Sequence, residues 1–181
     1  MSDPACVICI GGAAVDRKYH AFDQVLPGTS NPVRGERGFG GVARNVAENL
    51  ARLGKATALV SCVGADDAGR SLSDHLRRAG VNVDGMIVAG ESRTAEYSAV
   101  LNPDGSLAVA FADMAIFDRL TLDRLEALRP RFQQARWLFA DCNLPTESLA
   151  AIIDLARQSD CRLAIDAVSV AKAARLPDDL T

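Results

Sequence analysis

The sequence predicts an α/β protein: a mainly parallel sheet with helices on both faces, plus a small antiparallel insertion. Three observations carry this. Short apolar runs closed by glycine, aspartate or an Asp-Cys-Asn turn recur at residues 6–10, 56–63, 137–140 and 163–165, the signal of buried strands. Between them, apolar residues fall three and four apart, the helical period. Strands joined by helices run parallel and are covered on both sides. Residues 94–112 break the alternation with a period of two.

Taken in order, Cys6 to Ile10 is the first strand, ended by Gly11-Gly12. Residues 16–41 are polar and hold Pro27-Gly28, Asn31-Pro32 and four glycines from Gly35 to Gly41, so loops and short strands are expected there. Val42, Val46, Leu50 and Leu53 line one stripe of a helix that Gly54 closes. Residues 56–63 are the next buried strand. Residues 68–79 form a second amphipathic helix, with Asp66-Asp67 as caps and Gly80 as its stop. Tyr97, Ala99 and Leu101 then alternate with Ser98 and Val100, Asn102-Pro103-Asp104-Gly105 makes a tight turn, and Leu107, Val109 and Phe111 repeat the pattern. That is a β-hairpin. Both its arms are small or apolar on each face, so a substrate or a second subunit is expected to cover it. Residues 120–132 read as a helix interrupted near Pro130, and residues 137–140 as a strand ending at Asp141-Cys142-Asn143. Residues 145–157 form a helix with proline in its first turn, and residues 163–165 a strand ending at Asp166. A doubly wound sheet ordinarily continues past such a point, so residues 1–181 are expected to be part of a longer fold.

Composition narrows the function. The 181 residues are 49% hydrophobic and 24% charged, the balance of a chain that buries a core rather than a disordered or fibrous one. Twenty Lys and Arg against 23 Asp and Glu leave a net charge of −3. Without a basic cluster, neither nucleic acid nor an anionic membrane is an expected partner. The longest uncharged run, Pro4 to Val15, has twelve residues, while a membrane span needs ~20. The opening Met-Ser-Asp lacks the cationic segment of a secretory signal. Five cysteines at irregular spacing suit a reducing compartment, so a cytoplasmic location is expected. Cys6 and Cys9 lie three apart on a strand and point to opposite faces, as core fillers rather than a redox or zinc pair. Two histidines give little basis for a metal site.

Ligands of open parallel sheets bind beyond the carboxyl ends of the strands. Asp16, Asp66, Asp67, Asp141, Asn143 and Asp166 gather there. Each alone reads as a helix cap or a loop acid; as a set they form a rim suited to a neutral polyhydroxyl ligand. The sharpest local feature is Gly38-Phe39-Gly40-Gly41-Val42-Ala43-Arg44-Asn45. Gly38-x-Gly40-x-x-Ala43 fits a dinucleotide fingerprint with Asp66 as the ribose contact, but the fingerprint needs a buried strand before the glycines. Residues 33–37 cannot be one. Alternatively the glycines admit close backbone approach to a ligand, with Asn45 and, one turn on, Asn49 facing the same space. The plainest alternative is that Gly40-Gly41 only permits a turn and Asn45 caps backbone groups.

Gly40-Gly41-Val42-Ala43-Arg44-Asn45-Val46-Ala47, followed by Gly54 and Gly64, resembles the first signature of the PfkB carbohydrate kinase family at every position. With Gly11-Gly12 and Asp16, the resemblance covers essentially the whole chain. It implies a ribokinase-like three-layer α/β/α fold whose β-lid is built here from about residues 17–39 and 92–113. Ala112-Asp113-Met114, Ala140-Asp141-Cys142-Asn143 and Asp166-Ala167-Val168-Ser169 resemble the members that phosphorylate pseudouridine, although Ala167 stands where that subgroup has proline. The resemblance implies transfer of the γ-phosphoryl of ATP, with Mg²⁺ and, as an option, a monovalent cation, to the 5′-hydroxyl of a nucleoside or sugar. Asp16 would grip ribose hydroxyls; Gly40, Gly41 and Asn45 would line the sugar pocket; Thr94, Tyr97 and Asn143 would contact the base. A homodimer through the lid is expected. The family's second signature, Asp-Thr-x-Gly-Ala-Gly-Asp, holds the catalytic base, and neither it nor the Asn-x-x-Glu segment occurs in these 181 residues. The base is therefore expected beyond Thr181, and residues 1–181 alone are expected to be inactive. The alternatives are a ribokinase or other sugar kinase, a nicotinamide-dependent oxidoreductase with its nucleotide at Gly38 to Ala43, and a non-catalytic sugar-binding or dimerisation module.

Overall fold

Four parallel strands make the centre of the molecule. β1 (Val7–Ile10) lies between β4 (Thr57–Val60) and β9 (Trp137–Asp141), and β10 (Arg162–Asp166) pairs with β9. The computed structural model describes residues 6–159 and 161–177; residues 4 and 5 of the uncharged run and the final Leu180-Thr181 lie outside them.

Strand alternation divides the apolar residues between two cores. On one face Cys9 and Leu59 pack with Ala43, Ala47, Leu72 and Leu76, from helices α1 (Val42–Arg52) and α2 (Asp67–Arg78). On the other, Ile8, Ile10, Val60, Leu138 and Ala140 pack with Leu149, Ile152 and Leu155 of α5 (Thr146–Gln158). The result is the three-layer α/β/α architecture expected. Each fully buried aliphatic side chain contributes about 1.5–3 kcal/mol, so the strands that carry the site are the best-anchored part of the chain. Cys9 is one of these fillers: burial first, and Asp141 second, push its thiol up to about 12, leaving it unreactive.

A second sheet stands apart from this core. It runs β3 (Val33–Gly40), β2 (Ala14–Ala21), β7 (Glu96–Leu101), β8 (Leu107–Asp113). β2 and β7 are parallel; the outer pairs are antiparallel. The hairpin read from residues 94–112 is thus present, and it is extended by two strands from the turn-rich segment. Those two are eight residues each, longer than the short strands expected: ladder pairing with the hairpin sustains a sequence too polar to look like strand.

Three further departures have local causes. Residues 56–63 are not one strand, because the chain leaves the central sheet at Ser61, whose hydroxyl donates to the Gly11 carbonyl at 2.5 Å. β5 (Cys62–Gly64) then pairs with β6 (Ile87–Ala89), which the sequence did not signal. Residues 120–132 are not one helix: a 3₁₀ turn (Ala115–Arg119) leads to α3 (Leu122–Glu126) and α4 (Arg129–Phe132). Pro130 opens α4, where a continuous helix would need the N–H that proline lacks. The short helical stretch near the end is α6 (Val170–Ala173). Among the described residues no helix is long and apolar enough to cross a membrane.

Candidate functional site

The site is built at the carboxyl ends of β1 and β9, where α1 begins. α1 starts from Gly41, at φ 96°, which offers no side chain to cap the helix. The missing cap comes from β9 instead. The Asp141 carboxylate accepts from the Ala43 N–H at 2.8 Å and the Gly12 N–H at 2.9 Å. It also accepts from the Asn143 backbone N–H at 3.0 Å and the Asn143 side-chain amide at 2.8 Å. Asp141 is 0% exposed. A buried carboxylate is tolerable only when donors surround it, and the positive end of α1 adds to them. The next N–H of α1, from Arg44, reaches the Gly12 carbonyl at 3.1 Å. The approach is tight enough to require glycine: a Cβ on Gly41 would fall 2.3 Å from the Gly12 oxygen, and one on Gly11 2.4 Å from the Asp141 carboxyl carbon.

Above this floor the second sheet brings in Asp16. Pairing register aligns Gly38, Asp16, Tyr97 and Ala112 across four strands, and residues so aligned share one sheet face. Gly38 and Ala112 flank Asp16 and Tyr97, which are both half-buried. The Asp16 carboxylate lies over Gly40, whose Cβ, were there one, would fall 2.3 Å from its oxygen. Burial pushes the Asp16 carboxyl above its ordinary range, opposed by the charges of Lys18 and Arg44.

Asn45 is exposed in the first turn of α1. Its side-chain oxygen accepts from Arg44. Arg44 is itself buried, and its guanidinium also donates to the carbonyls of Gly40 at 3.2 Å and Phe39 at 2.6 Å, and to Glu48. Glu48 is held in turn by Arg52 at 2.6 Å and His75 at 3.0 Å. Burial raises the Glu48 carboxyl, but the hydrogen bonds from Arg52 and His75 and the charge of Arg44 outweigh it and hold it low.

Asp16, Gly40 and Gly41 therefore meet at the start of α1, with Asn45 in its first turn and Tyr97 in register with Asp16. Asn143 joins the floor beneath: its amide donates to Asp141 and its oxygen accepts from the Lys172 ammonium. Thr94 is placed elsewhere. Its hydroxyl donates to Asp66 at 2.6 Å and accepts from the Gly64 N–H at 3.0 Å, at the start of α2. Asp66 is the cap of α2, accepting from the Gly69 N–H. Asp67 pairs with Arg70 on the surface, and Asp166 accepts from the Val168 N–H. The acidic rim thus divides: Asp16 faces open space, while Asp66, Asp67, Asp141 and Asp166 are engaged by the chain itself. Asn49 is exposed one turn beyond Asn45. The residues that sequence reasoning missed are Arg44 and Lys172. Arg44 stands inside the diglycine motif, and only its burial marks it.

Residues 33–37 are indeed a strand, but an exposed antiparallel edge rather than the buried parallel strand a dinucleotide fold places before its glycines. Gly38 to Ala43 is not a nicotinamide site. Among the described residues no group of three or more His, Cys, Asp or Glu could hold a metal ion, so none is assigned to Mg²⁺. A hollow of about 420 Å³ near Val7, Leu50 and Trp137 lies at the opposite, amino ends of the strands; it is mainly apolar and lacks the convergent polar groups of a sugar site.

Comparison with known proteins places the chain in a family. Residues 6–178 match the pfkB family of carbohydrate kinases. The chain is 34% identical over 180 residues to the pseudouridine kinase of Escherichia coli, covering 99% of this chain and 57% of that protein. A carbohydrate kinase structure from Agrobacterium tumefaciens superposes with a TM-score of 0.86 at 35% identity, over 93% of this chain and 55% of that one. The Arabidopsis thaliana ribokinase, solved with ribose and ATP, shares the fold at a TM-score of 0.79 and 18% identity, over 91% of this chain and 54% of its own. The chain thus spans little more than half the length of these proteins. Its fold is ribokinase-like, and it belongs to the pfkB family.

Proposed function

We propose that this member of the family supplies the acceptor-binding part of an ATP-dependent kinase that phosphorylates the 5′-hydroxyl of a ribosyl compound, with pseudouridine as the acceptor. One observation carries the reading: the Asp16 carboxylate, from β2, lies over Gly40 at the bend from which α1 starts, and Asn45 is exposed in the first turn of that helix. A carboxylate accepts from hydroxyls and a carboxamide both donates and accepts, which suits a vicinal diol. Tyr97, in register with Asp16, offers a ring to the base. Thr94 and Asn143 act one step back, because their polar atoms are engaged by Asp66 and Gly64, and by Asp141 and Lys172.

The lid segments, about residues 17–39 and 92–113, close over the acceptor. Phosphoryl transfer rests on positioning and on stabilising charge as it spreads over the phosphoryl oxygens. This chain positions the acceptor; the base that takes the hydroxyl proton belongs to the family's second signature and ATP with Mg²⁺ to the region of its Asn-x-x-Glu segment, neither of which occurs in residues 1–181. The choice of pseudouridine over ribose follows the likeness of Ala112-Asp113-Met114 and Ala140-Asp141-Cys142-Asn143 to the members that phosphorylate pseudouridine. The enzyme works in the cytoplasm as a homodimer through the lid. Leu107, Val109 and Phe111, exposed on the edge strand β8, supply that contact.

The test is an acceptor screen with the full-length protein, ATP and Mg²⁺, following ADP release and the position of the new phosphomonoester. Pseudouridine should be turned over fastest, with phosphate at the 5′ position, and residues 1–181 alone should not turn over. Absence of ADP release with every nucleoside and sugar would overturn the reading.

A further inference from the structure

Arg44 makes four side-chain hydrogen bonds, as many as Asp141 accepts. It is 7% exposed. A buried guanidinium persists only with its donors met and its charge balanced. Glu48, itself 8% exposed, balances the charge, and Arg52 and His75 fix Glu48 from the other side. The remaining donors reach across the Gly40-Gly41 bend. They hold the carbonyls of Phe39 and Gly40, at the end of β3, and the side-chain oxygen of Asn45, in the first turn of α1. One planar group therefore joins the second sheet, the helix start and the exposed amide.

That last contact has a chemical consequence. A carboxamide has one acceptor end and one donor end. With its oxygen taken up by Arg44, Asn45 has its Nδ2 hydrogens left to offer a ligand, while the Asp16 carboxylate over Gly40 offers acceptors. We infer that Arg44 is a positioning residue that sets the specificity of this site, fixing the Asn45 amide as a donor so that the site demands a ligand oxygen able to accept from Asn45 while a neighbouring hydroxyl donates to Asp16. This rests on the reading of the site as a ribosyl pocket. A ribosyl diol satisfies both groups; a deoxy sugar leaves one of them unpaired.

The experiment compares the full-length protein with Arg44→Ala, Arg44→Lys, Asn45→Ala and the Arg44→Ala/Asn45→Ala double variant, each assayed with the best ribosyl acceptor and its 2′-deoxy and 3′-deoxy analogues. Asn45→Ala should raise KM for the ribosyl acceptor about tenfold and flatten the preference over a deoxy analogue. Arg44→Ala should do the same, with the loss in KM rather than kcat. The double variant should be within about twofold of Asn45→Ala alone, since the two act through one amide. Independent, multiplying losses, or a deoxy preference kept intact without Arg44, would overturn the inference. Arg44→Lys preserves charge without the planar fork and covers the case in which Arg44→Ala fails to fold; it should also lose the deoxy preference, and a wild-type preference in it defeats the inference. A wild-type protein that phosphorylates no polyol defeats the underlying reading instead, before any variant is compared.

Discussion

The floor and the roof of the site are held by different means. The floor is a knot of buried hydrogen bonds around Asp141, whose partners Ala43 and Gly12 lie 98 and 129 residues away. Its strands are fully buried at Cys9, Ile10, Leu138 and Ala140. The roof is a four-stranded sheet with two open edges. β3 is exposed along most of its length, and Phe111 on β8 is 64% exposed. The floor fixes positions through a low-dielectric network in which every group is committed. The roof fixes them through ladder register, which sets direction and spacing at lower local stability. A pocket that must admit a ligand and then enclose it needs both kinds of wall.

The largest expected effect separates the two. Asp141→Ala leaves several buried N–H donors without an acceptor, each worth ~1–3 kcal/mol. It should lower the stability of the full-length protein by about 3 kcal/mol or more, read from urea unfolding. A loss under about 1 kcal/mol would show that solvent or a shifted backbone replaces the carboxylate and that the floor is not a committed network.

A pair of glycines sharpens the contrast within one strand. Gly40→Ala places a methyl against the Asp16 carboxylate, whereas Gly38→Ala meets nothing within 4 Å. The first should raise the acceptor KM by about tenfold or more; the second should change stability by no more than ~0.5 kcal/mol and leave KM alone. Equal effects at both positions would mean that the bend, rather than the approach to Asp16, is what glycine serves.

The smallest effect is in pH dependence. Asp16 has its folded value raised, chiefly by burial, so its ionised form is costly at neutral pH and the cost is relieved as pH falls through the raised value. Binding needs the ionised form, so acceptor KM should climb as pH falls through that value, and Asp16→Asn should flatten the profile at a higher KM. Asp66 behaves oppositely. Burial raises it, but hydrogen bonds from Thr94 and Gly69 and the charge of Arg93 outweigh this and hold it low. The stability it contributes is present above the unfolded value and is lost only as pH falls through the lower folded one. Binding should therefore fail at a higher pH than the fold does, a difference seen by running the KM titration beside circular dichroism.

Much of this was legible in the residues. The buried strands and amphipathic helices announce themselves because hydrophobic period is a local property, and the diglycine motif with Asn45 marks the bend from which α1 starts. The polar segment from Asp16 to Gly41 did not read as two long strands, because nothing within it supplies the partner that makes it one. Thr94 read as a ligand contact, and its hydroxyl is committed to Asp66, a neighbour that is distant in sequence. Arg44 gave no signal at all: its burial depends on Glu48 and His75, and only packing brings α2 against α1 to provide the second.

By itself, then, the sequence determined the layers, the hairpin and the glycine bend, since each follows from periodicity or from sterics within a few residues. Tertiary structure alone decided that α1 is capped by an aspartate from β9 and that Asp16 stands over Gly40. It also decided which end of the Asn45 amide is free. Those are meetings of groups between about 25 and 130 residues apart, or consequences of them, and burial fixes them because a buried polar group must find a partner wherever the fold places one.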